Sequence, residues 1–193
     1  MNASFKQRGC AYLIDIIILA LLLTFVSLLM PPSENVKKLN SEYNEVADKY
    51  INNEIDFNTY YNRISYIYYD IDKENVIYGI INALFILIYF VFVPLYNDVK
   101  TLVKKIMNIK VVRKDGNQLE PNNLLFRNLI LNGLATMIIS LALIYVTNAT
   151  SYYMITSILG GIQLIISIIN IILILRNKEA LHDKLGNTKV ICE

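Results

Sequence analysis

The chain has 193 residues, a formal net charge of +2, 55% hydrophobic residues and a mean hydropathy of +0.43. That balance fits a small integral membrane protein, because a soluble domain of this size could not hide such long apolar runs in one core. The near-neutral charge gives no ground for a nucleic-acid partner, and the two cysteines, Cys10 and Cys192, lack the spacing of a disulfide framework or metal site.

The first apolar segment covers residues 10–30 and is broken by one carboxylate, Asp15. At 1.5 Å per residue it is long enough for the ~30 Å hydrocarbon layer. A charge at such depth costs about 2.5–3.5 kcal/mol on insertion scales, so Asp15 needs a partner or a use. Lys6 and Arg8 precede the run as in a signal peptide. The run exceeds the ~7–15 residues of a signal core, holds an acid and ends in Met30-Pro31-Pro32 without a small-x-small site. It is therefore expected to stay in the mature protein.

Residues 31–75 form a polar loop with two amphipathic stretches. Val36, Leu39, Tyr43, Val46 and Tyr50 recur at helical steps, as do Phe57, Tyr60, Tyr61, Ile64, Tyr68 and Ile71 after Asp56 or Asn58 as N-cap. A helical hairpin is predicted here, lying as a lid over the bundle. The second segment, residues 76–96, carries Pro94 near its end and should kink mildly. In residues 97–123, Val99, Leu102, Val103 and Ile106 make a short amphipathic turn whose lysines face an anionic leaflet. Ile109 to Val112 is β-prone, runs into the turn Lys114-Asp115-Gly116-Asn117, and is expected to pair with Thr188 to Ile191. Asn122 or Asn123 should cap a third span, residues 124–146, and the fourth is residues 153–175, leaving a tail at 176–193. Gly79-x-x-x-Ala83 and Ser157-x-x-x-Gly161 would allow close helix approach.

Charge asymmetry orients these spans. Lys6 and Arg8, then Lys100, Lys104, Lys105, Lys110, Arg113 and Lys114, then Arg176, Lys178, Lys184 and Lys189 flank one side, whereas residues 31–75 hold nine acids against five bases. Both termini are thus expected in the cytoplasm and the hairpin outside. Without Trp, tyrosines should form the interfacial belts: Tyr66, Tyr68, Tyr69, Tyr78, Tyr145, Tyr152 and Tyr153 outside, Tyr12 and Tyr96 inside. The predicted fold is an all-α membrane bundle of four spans.

Arg8 and Asp15 share a helix face about 10.5 Å apart, too far for a simple pair. Arg8 would snorkel to headgroups or reach Asp15 through a third group. Asp15 is expected to meet Arg127, which also sits inside an apolar run, with Arg176 as the lesser candidate. Asn82, Asn132, Gln163 and Asn170 are polar groups that could line an interior or glue helices together.

The chain resembles the RDD proteins, a family named for one Arg and two Asp. The resemblance rests on Arg8-x-x-Ala11-x-x-x-Asp15 and on Thr101-Leu-Val-Lys104-Lys105-Ile-Met-Asn-Ile109-Lys-Val-Val112. It continues through Asp115-Gly116, Arg127-Asn128, and Leu181-His182-Asp183 before Thr188-Lys-Val-Ile191. Val103 and Asn108 stand where members have Gly, and the acidic loop is an addition. The resemblance implies a polytopic inner-membrane protein of bacteria or archaea, with Arg8, Asp15 and Asp183 as signature residues and His182 beside the last. Some members are connected to exchange of sodium-type cations for protons.

No Ser-His-Asp set, His/Cys metal spacing or phosphate loop is present, so neither an enzyme nor a cofactor or metal site is expected. The expected function is cation/proton exchange or small-solute transport through Asp15, with the bilayer and a monovalent cation or proton as partners. The alternative is a non-transporting membrane adaptor or assembly protein. Asp15 could equally be structural, pinning one helix to another. His182 is expected to serve a capping role or to couple pH to the bundle. Four spans barely enclose a path, so a transporter of this size would be a homo-oligomer.

Overall fold

The computed structural model describes residues 3–98 and 100–193. Helix α1 (Phe5–Leu29) begins at a capping box: Ser4 Oγ accepts the Gln7 N–H at 3.3 Å, and Gln7 Oε1 accepts the Ser4 N–H at 3.0 Å. Only Ala11, Asp15 and Leu19 are buried along it. Spaced four apart, they form one stripe, while Leu13, Ile17, Leu21 and Leu28 on the other faces are more than half exposed. Apolar exposure of that extent is what a helix bathed in lipid presents. Asp15 therefore points into protein.

The predicted hairpin is formed by α2 (Glu34–Ile51) and α3 (Phe57–Glu74), with Asp56 as the α3 cap, accepting the Thr59 N–H at 2.7 Å. Val46, Ile64 and Ile67 make its core. Several tyrosines expected in an interfacial belt instead clamp this hairpin to the bundle. Tyr69 Oη donates to the Ile144 carbonyl at 2.8 Å, Tyr152 Oη to Asp72 at 2.7 Å, and Tyr153 packs edge-on against Tyr61 and Tyr68. A buried phenol needs an acceptor, and the hairpin brings these within reach. Tyr96 and Tyr145 do remain exposed.

The second apolar segment is not a simple kinked helix. It runs as α4 (Val76–Leu87), a π-helical turn (Ile88–Phe92) and α5 (Val93–Tyr96). Pro94 has no N–H for the Phe90 carbonyl. That carbonyl accepts from Asn128 Nδ2 at 3.3 Å instead, and the Val93 N–H reaches back to Ile88. Gly79 does allow close approach: a Cβ there would lie 3.0 Å from Leu141.

The third segment departs further from expectation. It is two helices, α7 (Pro121–Leu131) and α8 (Leu134–Val146), bent by 75°. Gly133, at φ 64°, makes the break. Broken backbone within a bilayer is tolerated only where its freed groups find partners. Gln163 Nε2 donates to the Ile130 carbonyl at 2.8 Å, and the single Tyr12 hydroxyl proton is shared between the Leu131 carbonyl at 3.3 Å and Asn132 Oδ1 at 2.9 Å. Glu120, rather than Asn122 or Asn123, is the N-cap of α7; its N–H donates to Asn123 Oδ1 at 3.0 Å. Helix α9 (Ala149–Leu175) starts at Asn148, whose side chain caps it, and Gly160 and Gly161 meet nothing within 4 Å. The close approach expected at Gly161 is thus not made among the described residues.

At one end, α6 (Leu102–Ile106) leads into β1 (Ile109–Arg113), which pairs antiparallel with β2 (Thr188–Cys192) in the register Val111 opposite Val190. The expected ribbon is present, so the fold is not purely α-helical. Of the two positions where the resemblance implies Gly, Asn108 makes a left-handed turn at φ 51° and Val103 is buried in α6. Of the expected amphipathic turn, Val99 lies outside the described residues. The Ala3 N–H donates to the Val190 carbonyl at 3.0 Å, so the ribbon also ties down the start of the chain. Helix α10 (Leu181–Leu185) links α9 to β2.

Candidate functional site

Asp15 is fully buried, but neither expected arginine reaches it. Tyr89 Oη donates to its Oδ1 at 2.6 Å and Thr101 Oγ1 to its Oδ2 at 2.8 Å. The π-helical turn carries Tyr89 into the interior, and Thr101 serves double duty as the α6 cap, accepting the Lys104 N–H at 3.3 Å. No ion pair to Asp15 forms among the described residues. Both partners were missed in the sequence. Thr101 had a signal, a capping residue ahead of an amphipathic turn, whereas nothing marked Tyr89.

The arginines are engaged elsewhere. Arg8, in the first turns of α1, and Arg127, on α7, both pair with Asp183 of α10, and Arg127 also donates to Thr188 Oγ1 at 3.1 Å. Both guanidiniums are thus turned to the one carboxylate of Asp183, and neither contacts Asp15. Arg8 pairs rather than snorkels. The tail reaches α7 because Gly186 lies directly on it: a Cβ there would sit 2.6 Å from the Asn123 carbonyl oxygen. Asn123 Nδ2 donates to the Gly186 carbonyl at 3.0 Å, and Asn170 Oδ1 accepts the Leu181 N–H at 2.7 Å. Arg176 stays exposed.

Electrostatics within this second cluster follow from burial against crowding. Burial alone would raise the Asp183 carboxyl, yet Arg127 and Arg8 hold it down at about 2. Burial, reinforced by Arg127, drops the His182 imidazole to about 3, so the ring is neutral. Its Nε2 is 3.7 Å from Asp183 Oδ1, beyond hydrogen-bond range, and neither ring nitrogen has a partner among the described residues. His182 thus caps nothing. Burial and Arg127 also lower Lys104 to about 8.

The predicted polar residues therefore do not form one row. Arg8, Arg127, His182 and Asp183 gather at the ribbon end, and Asp15 sits apart with hydroxyl partners. Asn132 accepts from Tyr12 Oη at 2.9 Å and donates to Asn128 at 2.6 Å, while Gln163 serves the helix break and Asn170 the tail. Asn82 is half-buried and makes no hydrogen bond among the described residues. Compared with known proteins, the model of the RDD family matches residues 2–187. No curated protein and no solved structure matches.

Proposed function

The chain belongs to the RDD family, and from that premise we propose that it exchanges a monovalent cation for a proton across a membrane, with Asp15 as the exchanging carboxylate. One observation carries this: both Asp15 oxygens are buried and held by neutral hydroxyls, with no basic side chain in contact among the described residues. A carboxylate taken out of water demands a neutralising charge. Lys104 senses the Asp15 charge but makes no ion pair with it among the described residues, so a proton and a small cation can compete for the same oxygens. Tyr89 and Thr101 add hard oxygen ligands on the cation side of that competition. The π-helical turn and the break between α7 and α8 add irregular backbone of the kind that lines polar interiors in spanning proteins.

In this proposal both termini face the cytoplasm and the hairpin lies outside. The charge asymmetry supports it, as do the contacts of Ala3 and Arg8 with the C-terminal tail. Two ends meeting at one face require an even number of crossings, so the bent α7–α8 pair counts as one.

Proteoliposomes with a trapped pH dye test the exchange. Wild-type protein should move protons against a sodium or potassium gradient, Asp15→Asn should lose at least ten-fold in rate, and Asp15→Glu should keep part of it. Wild-type flux from a well-folded Asp15→Asn would refute the assignment.

A further inference from the structure

Between the start of α1 and the end of α9 lies a cleft of about 330 Å³. Leu13 and Ile171 at its rim are among the residues exposed on the apolar surface, whereas Arg127 and His182 in its floor are buried. The floor is rich in positive charge. Arg8 and Arg127 share the one carboxylate of Asp183, and Lys104, which also lines the cleft, has no ion pair among the described residues. Burial first and Arg127 second lower Lys104, while Asp15 and Asp183 pull it back up. His182 is 1% exposed and both its ring nitrogens lack partners among the described residues. Buried polar groups in folded proteins are nearly always satisfied, so an unpartnered imidazole in the wall of a cavity marks a place where something polar belongs. Water alone would answer the imidazole but not the excess of cations. The apolar walls, in turn, do not suit a free hydrated anion.

We propose that this cleft seats the anionic headgroup of one amphiphile, a phosphate- or carboxylate-bearing lipid, on Arg8, Arg127 and the His182 N–H, with its apolar chain between α1 and α9. Guanidiniums suit such a head because their forked donors match the oxygens of phosphate and carboxylate. The site is separate from the exchange proposed for Asp15, which lines no part of the cleft.

His182 is the chain's single histidine, so the site carries its own reporter. Full-length protein with isotope-labelled histidine, in a maltoside detergent, is titrated with short-chain phosphatidylglycerol, phosphatidylcholine of equal chain length, decanoate and inorganic phosphate. Phosphatidylglycerol should shift the imidazole signals saturably, at least ten-fold tighter than phosphatidylcholine. Decanoate binding as tightly assigns the seat to any anionic head, and weaker decanoate binding assigns it to phosphate. Arg8→Gln should weaken the response at least ten-fold. Ile171→Trp, which fills the chain groove and leaves every charge in place, should do the same. Equal response to both phospholipids, no response, or inorganic phosphate binding as tightly as phosphatidylglycerol would each overturn the proposal, as would unchanged affinity in Ile171→Trp.

Discussion

Asp183→Asn is the sharpest single test of the charge cluster. The change is nearly isosteric and removes only the negative charge between Arg8 and Arg127. Side-chain exposures are 3% for Asp183, 6% for Arg127 and 16% for Arg8, so water cannot replace the lost partner for Arg127. Breaking a buried pair by removing one member costs about 3–5 kcal/mol, a large share of the ~5–15 kcal/mol that typically separates folded from unfolded states. For a chain of this length that corresponds to a fall in Tm of roughly 6–20 °C. Thermal aggregation of the purified protein in detergent, together with its abundance in membranes, measures the loss. Arg127→Gln added to Asp183→Asn should restore most of it, because Arg8 is the cation nearest to solvent. A loss under about 1 kcal/mol, or a double variant no better than the single one, would refute the view that Asp183 holds the cluster together.

Acid should act through the same residues. Asp183 has a lowered value of about 2, so its stabilisation is complete above the ordinary carboxylate range and fades as pH falls from about 4 towards 2. His182 is also lowered, to about 3; below 6.5 the unfolded chain takes up a proton that the folded ring refuses, so stability declines from pH 6.5 towards 3. Imidazole NMR should show no titration between pH 8 and 5, and a midpoint near 6.5 would count against the buried ring. Gly186→Ala pushes a Cβ to within 2.6 Å of the Asn123 carbonyl oxygen and should cost about 1–3 kcal/mol, whereas Gly160→Ala, with open space around it, should be neutral or mildly stabilising in the same melts. Gly133→Ala forces a side chain into a φ of 64° and should cost about 1–2 kcal/mol. Hydrogen exchange should then rise around the helix break, and unaltered melting would mean the bend is not needed.

The hairpin and the ribbon were legible because each rests on a local pattern: helical spacing of Val36, Leu39, Tyr43 and Val46 and of Tyr60, Ile64, Tyr68 and Ile71 in one, alternation at Ile109 to Val112 in the other. The partner of Asp15 was not legible. Depth along a helix is read from sequence, but the direction in which a neighbour presents a group is not. Tyr89 reaches Asp15 only because a π-helical turn rotates it inwards. The break in the third segment hid inside an unbroken hydropathy run, although Asn132-Gly133 is a turn dipeptide. Arg8 and Asp183 were joined only by family resemblance, and the structure brings them into contact.

The clamp formed by Arg8, Arg127 and Asp183 has a consequence for how the chain is made. The acid emerges 175 positions after the first arginine and 56 after the second. At about 5–20 residues per second, a ribosome needs on the order of 10–35 s to cover the longer gap. Through that interval Arg8 is without this partner, and Arg127 is without it for the shorter gap of about 3–11 s. Translation halted short of that codon would leave a polypeptide that is embedded but lacks the acid that locks Arg8 to Arg127.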